Sequence, residues 1–460
     1  MATKPVAPVN TAGPGDSAHN GNQAVKYWVK PGEAEAAKAH PTKDEVVPVF
    51  VGRAEWYHIT YHICAAVASV PTLGLPGAMA GLGWPAGMIT LILGGATTCY
   101  TSFLIARLHT YGGKRHIRYR DLGDAVLGRW GWWAVMPFQF AVCVGSTIAN
   151  LIVAGQAMKA VNVICRPDNV VPLPYYIIVF GAVNLVLSQC PHMHSIRFIN
   201  QLATFCTISF ATVAVGLSAY AGNHAPAPRD YGVHGSSSHK LFGIFNSLGI
   251  MAFAYGNTVI PEIQATAKEP NLKTMKRGIV GAYTVILTAY LVVATVGYWA
   301  FGTDAKVIIL QSLSYPSWAV ATAWVFAAIQ LTGTTQIYCQ PIYEGFDKQL
   351  GNPLESLWSM RNLAVRLVCR TIFIVVCTVV AAMIPFFGDF MGLIGAIGYT
   401  PMDFVLPIFL WIVAYKPKGP RMWISLALAC LYICVGSVAA VGAVRNIVVD
   451  SINYSLFANL

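Results

Sequence analysis

Trp56-Tyr57-His58-Ile59-Thr60-Tyr61-His62-Ile63-Cys64-Ala65-Ala66-Val67-Ala68-Ser69-Val70-Pro71-Thr72-Leu73-Gly74-Leu75-Pro76 opens an uninterrupted uncharged run that continues to Ala106. No Lys, Arg, Asp or Glu falls inside it. A bilayer core needs roughly 20 apolar residues per helix, so the run predicts two membrane spans, with a tight turn at Gly83-Trp84-Pro85. The first span cannot be a plain helix. Pro71 and Pro76 each remove a backbone donor and clash with the preceding turn, and Gly74 and Gly77 withdraw side-chain support. Backbone groups freed in hydrocarbon are costly, so such a break persists where it faces protein, water or a ligand. Interrupted spans near the bilayer midplane are where transporters hold substrate.

The surrounding composition agrees. The chain has 460 residues, 56% hydrophobic and 11% charged, against roughly 25% charged in soluble domains. Further apolar runs follow at 134–158, 173–191, 199–221, 241–262, 278–301, 316–340, 364–384, 390–414 and 423–445, which gives about 11 spans in all. The net charge of +11 does not form one patch, so no nucleic-acid partner is expected. Of the 30 Lys and Arg, 24 fall in the tail and in alternate loops, at 107–129, 197, 268–277, 348–370 and 416–421. By the positive-inside rule these segments and the N-terminus are cytoplasmic. Residues 1–50, rich in Ala, Pro and Gly, read as a disordered tail. Residues 51–415 read as a core of ten spans, and 416–460 as an eleventh span with a short end. The 11 cysteines are scattered through apolar runs and suggest neither a disulfide framework nor a metal site.

The sixth run repeats the logic of the first. Asn246 to Gln264 carries small residues, Tyr255 and Asn257 mid-span, and Gly256 and Pro261 to break the helix. Two interrupted spans at the first and sixth positions match an inverted five-plus-five repeat, because an odd interval inserts the halves from opposite sides. The expected site is therefore made of Ala68, Ser69, Val70, Pro71 and Thr72 from the first break, and Ala252, Phe253, Tyr255, Gly256 and Asn257 from the sixth. Amides of Val67 to Thr72 at a half-helix N-terminus suit a carboxylate. Carbonyls around Ala252 to Gly256 suit an ammonium group. Together they describe a zwitterion site.

Ionisable residues inside spans default to functional roles. His62, Glu262 and Asp403 are the candidates for a coupling proton, with Glu262 alternatively paired to Arg197. His58 falls at the interface and Asp389 at an outer helix end. In the eighth run Gln330, Thr332, Thr334, Thr335 and Gln336 offer hydroxyls and amides toward the first span. Thr334 is a coupling-site candidate there, and without a carboxylate beside it sodium stays open rather than assigned. No phosphate-binding loop, nucleophile constellation, metal set or cofactor motif is present, so an enzyme is not expected.

Several motifs carry a family resemblance. They are Leu75-Pro76 with Leu82-Gly83-Trp84, Arg118-Tyr119-Arg120-Asp121-Leu122, His194 to Asn200, Phe242 to Asn246, Tyr255-Gly256-Asn257 through Thr266, Gly297 to Gly302, Pro385 to Asp389, and Asp403 to Pro407. On these the chain resembles the amino acid/auxin permease family over residues 50 to 460. The resemblance implies an all-α polytopic fold of LeuT type. It further implies proton-driven uptake of a small amino acid, GABA or proline first, at the plasma membrane, with the vacuolar membrane as the alternative. An auxin or broad neutral amino acid carrier, and a sensor that binds without transporting, stand beside that reading. One departure is Gly74, where relatives carry Ser in Leu-Ser-Leu-Pro. The oligomeric state is not legible.

Overall fold

A computed structural model describes residues 26–27, 48–49, 54–189, 197–224, 229–233, 236–268, 271–352, 359–384 and 387–451, with only the backbone of 197–200. The expected tail lies outside the described residues except for a two-residue antiparallel pair, Lys26–Tyr27 with Pro48–Val49. Of the motifs above, His194 to Ile196 and Pro385-Phe386 also lie outside. Everything else is helical architecture. The helices are α1 (Trp56–Val67), α2 (Leu75–Leu108), α3 (Tyr119–Leu127), α4 (Arg129–Cys165), α5 (Leu173–Ser188), α6 (Arg197–His224) and α7 (Ser237–Ala254). They continue with α8 (Ile260–Ala265), α9 (Asn271–Phe301), α10 (Ser317–Leu350), α11 (Met360–Met383), α12 (Phe387–Ile394), α13 (Leu406–Tyr415) and α14 (Pro420–Ser451). A π-helical segment, Gly395–Val405, joins α12 to α13.

Seven helical stretches among the described residues are long and apolar enough to cross a membrane by length and composition. The sequence-predicted runs outside that set are the first, fourth, sixth and eighth. Three of the four line the site described below, and each is broken or polar for that reason. The turn expected after Leu82 is real: Gly83 adopts φ 74° and ψ 170° within α2, a left-handed conformation that favours glycine.

Polar contacts gather in two groups at the helix ends. One end gathers Lys268 on Glu55, Arg115 on the Ala265 carbonyl, Arg118 on Glu344, Arg370 on Asp347, and the Tyr415 hydroxyl on the Arg107 carbonyl. These are the segments assigned to the inner side. The opposite end gathers Asn246 on Asp389, Arg229 on the Trp299 carbonyl, and Gln311 on Gln156. Outward-facing Ile178, Val179, Val186, Ile372, Val376, Ile424 and Val441 leave an apolar girdle on α5, α11 and α14, as a lipid-facing surface requires.

Small residues bring backbones together around the centre. Gly249 of α7 lies against Gly392 and Gly395, and Gly442 of α14 against Phe245 and Asn246. α14 also stacks Tyr432 on Phe404, with ring centroids 4.1 Å apart. The last helix is thus packed on α7 and on the π-helical segment.

Candidate substrate site at two helix breaks

α1 stops at Val67. Ala68 leaves helical geometry (φ −78°, ψ 54°) and Ser69 is extended (φ −95°, ψ −164°). A 3₁₀ turn, Val70–Gly74, then leads into α2. The cause is local, since Pro71 has no N–H to continue the ladder. α7 stops at Ala254, and α8 restarts at Ile260 with Pro261 in its first turn. Proline is tolerated there because first-turn amides have no intrahelical partner.

The two breaks meet. The Tyr290 hydroxyl of α9 lies 2.8 Å from the Val67 carbonyl oxygen and 2.6 Å from that of Ala254. A single proton is shared between two carbonyls released by two separate interruptions. The Tyr338 hydroxyl of α10 reaches the Ala66 carbonyl at 3.5 Å. Ala68, Ser69, Val70, Thr72, Ala252, Phe253, Tyr255, Gly256 and Asn257 are all buried, and Pro71 is half-buried. Tyr290 thus joins the ends of the two breaks, at Val67 and Ala254.

The π-helical segment supplies the third wall. Residues four apart share one face of a helical segment. Tyr399 and Asp403 accordingly both address the α7–α8 break. The Tyr399 ring packs edge-on against Phe253, with centroids 5.1 Å apart, and its hydroxyl bonds Ser146 of α4 at 2.7 Å. It lies so close to Gly256 that any Cβ there would collide with the ring. The Asp403 Oδ2 accepts the Asn257 amide N–H at 2.9 Å. The Asn257 side chain in turn donates to Ser102 at 3.2 Å and to the Tyr283 hydroxyl at 3.1 Å. On the far side Tyr255 donates to the Leu91 carbonyl at 2.6 Å, and its ring rests on Gly94, where a Cβ would stand 3.0 Å from it.

Two sequence expectations need correction. Three of the amides assigned to a substrate carboxylate are already engaged: Ala68 N–H bonds Cys64 O, Ser69 N–H bonds Val67 O, and Thr72 N–H bonds Ser69 O. A tight 3₁₀ turn closes its own hydrogen bonds, which a sequence count of prolines does not reveal. Thr334 does not offer its hydroxyl to α1. It accepts from Gln330 Nε2 at 2.6 Å within α10, and it is Tyr338, one turn on, that reaches the first break.

Beside the breaks lies a narrow crevice of about 20 Å³, room for about one water molecule. His62 and Ala66 of α1, Val259, Glu262 and Ile263 at α8, and Gln340 and Glu344 of α10 line it. Glu262 therefore faces the crevice, while Asp403 is buried at the break. Arg197, the cation suggested for Glu262, has no described side chain; Arg118 is within electrostatic reach instead. Arg118 donates to Glu344 at 2.6 Å. Burial works against its charge, but Glu344 and Asp121 more than offset this and hold the guanidinium above its usual range. His58 accepts the Glu55 amide at the start of α1 and so serves as a cap. Asp389 accepts from Asn246 at 2.8 Å and from Asn446 at 3.3 Å, tying α12 to α7 and α14.

Sequence reasoning missed Tyr290, Tyr338, Tyr399, Ser146, Ser102, Tyr283, Tyr119 and Glu344. A signal existed for the tyrosines, because a buried phenol seeks a hydrogen-bond partner. Which backbone it serves is decided by packing.

The geometry of two facing breaks agrees with three comparisons. Residues 52–449 match the family model described as transmembrane amino acid transporter protein. The chain belongs to that family. GABA transporter 1 of Arabidopsis thaliana is 36% identical over 449 residues, covering 93% of this chain and all of the relative. Lysine histidine transporter-like 1 of the same plant is 32% identical over 426 residues, with 90% and 93% covered. Among solved structures, MhsT in complex with L-phenylalanine superposes with a TM-score of 0.55 at 10% identity, covering 85% of this chain and all of that one. That likeness concerns the fold alone, which is of LeuT type. As a family member the chain is an integral membrane transporter of the amino acid class and not an enzyme.

Proposed function

We propose that this family member imports a small zwitterionic amino acid, GABA or proline first, together with a proton, by alternating access at the plasma membrane. The observation that carries the substrate class is the Tyr290 clamp. Val67 and Ala254 present carbonyl oxygens side by side, and each retains a lone pair for a substrate ammonium group. Phe253, Tyr338 and Tyr399 crowd the same space, which favours a slim substrate. The name of the 36% identical relative supports GABA as the first to test.

For coupling, we assign the proton to Glu262, with His62 beside it in the crevice, and give Asp403 the task of holding the α7–α8 break. Glu262 lines the crevice together with His62, whereas Asp403 Oδ2 accepts a backbone amide. Substrate bridging the half-helices stabilises a closed site, and the carrier then reopens inward.

The test is uptake of labelled GABA and proline into cells expressing the protein, at about pH 5.5 and about pH 7.5, with and without a protonophore. Accumulation that rises in acid and collapses with protonophore is expected, with Glu262→Gln losing the acid stimulation. Absence of accumulation in protein shown at the cell surface overturns the substrate assignment. The aromatic cluster of Phe253, Tyr338 and Tyr399 supports a second reading, an auxin or broad neutral amino acid carrier. Competition of uptake by auxin and by neutral amino acids separates the two.

A further inference from the structure

We propose that Arg118-Tyr119, at the start of the loop helix α3, is the inner gate latch of this transporter. These two consecutive residues hold two separate elements beside the crevice, α10 and the π-helical segment. Arg118 Nε donates to Glu344 of α10 at 2.6 Å. Arg118 also lies within electrostatic reach of Glu262 of α8. The Tyr119 hydroxyl donates to the Met402 carbonyl of the π-helical segment at 2.7 Å. Nearby, Arg115 reaches the Ala265 carbonyl at the end of α8, at 3.4 Å.

The latch is anchored. α3 lies on α4 with Gly123 and Gly131 in backbone contact, so a Cβ on either would strike the other chain segment. Tyr119 is fully buried, within electrostatic reach of both Asp403 and Glu262. The segment from Arg115 to Tyr119 thus straps the end of α8 to α10 and the π-helical segment, and α8 can swing away from those two only when one side of the strap lets go. These elements carry the inner walls of the site, so their separation is inward opening. Arg118 and Tyr119 are positioning residues in this account, since neither touches the substrate space.

The inference rests on the alternating-access reading for the meaning of opening, but its test needs no substrate. Thr258, buried beside Asn257, is replaced by Cys in the full chain. Its labelling by a membrane-impermeant maleimide is followed from the inner face in inside-out vesicles and read at that residue by peptide mass. Arg118→Glu is expected to raise the labelling rate about fivefold, the scale of a partly exposed ion pair. The double exchange Arg118→Glu with Glu344→Arg is expected to return it toward the starting value. Tyr119→Phe, which keeps the ring and drops one hydrogen bond, is expected to raise it about two- to fivefold.

Unchanged labelling in Arg118→Glu with an unchanged melting temperature overturns the latch, as does a double exchange that folds but labels as fast as the single variant. Should Arg118→Glu not fold, Glu344→Gln removes the pair from the other partner and decides by the same readout. Failure of GABA and proline uptake leaves these labelling outcomes standing, so the latch and the substrate assignment are judged apart.

Discussion

Replacing Asp403 tests the site most directly, because one carboxylate oxygen holds the strand-like gap between α7 and α8. Asp403→Ala leaves the Asn257 N–H without its 2.9 Å partner in a place where Asn257 is only 2% exposed. A buried donor left unsatisfied costs about 1–3 kcal/mol. Because every 1.4 kcal/mol is tenfold, the corresponding loss is about 5- to 150-fold. The cost falls on the conformation in which the break is formed, and that conformation is the one that binds substrate. The apparent affinity for GABA is therefore expected to weaken by that factor while the melting temperature moves little. Asp403→Asn keeps an acceptor oxygen of nearly the same reach, so its loss stays below about fivefold. The assay is the initial rate of labelled GABA uptake against concentration in proteoliposomes under an imposed pH gradient. Acid stimulation is expected to persist in both variants, since it is assigned to Glu262. An Ala variant with the wild-type KM, or an Asn variant as damaged as Ala, would refute the holding role.

Gly256→Ala drives a methyl group into the Tyr399 ring; overpacking of this kind costs about 1–3 kcal/mol, and a lowered melting temperature with abolished uptake is expected. Tyr290→Phe removes the shared proton from the Val67 and Ala254 carbonyls, and a loss of about 1–3 kcal/mol should appear as reduced thermal stability in a detergent melt. Gly74→Ser, the residue relatives carry, places its Cβ 3.3 Å from the Met391 Cε and 3.4 Å from the Val307 oxygen. The flexible methionine yields, so uptake is expected within about twofold of the parent. Lys268→Ala breaks a solvent-exposed pair with Glu55 and should leave both uptake and melting temperature unchanged.

The two breaks were legible because proline and glycine act through their own backbone chemistry. Pro71 and Gly83 interrupt their helices wherever the chain goes, and Pro261 restarts one for the same reason. Charge asymmetry was legible too, since the placement of Lys and Arg between apolar runs reports sidedness without any fold. The amide donors of Val67 to Thr72 were not legible. Whether a freed N–H faces a ligand or closes a 3₁₀ turn depends on φ and ψ, and only the folded chain chose closure. Tyr290 illustrates the larger limit. Nothing in the run around it says that its hydroxyl will reach Val67, 223 residues earlier, and Ala254, 36 residues earlier. Packing likewise placed Tyr399 against Gly256 and Asp403 against Asn257 at the sixth-span break, partners that lie far from them along the chain. By itself the sequence determined a polytopic helical membrane protein and the two interrupted segments, because those follow from local backbone limits and from hydropathy. The tertiary structure alone decided which side chains meet at the breaks, because hydrogen-bond pairing between distant helices is set by packing and not by spacing along the chain.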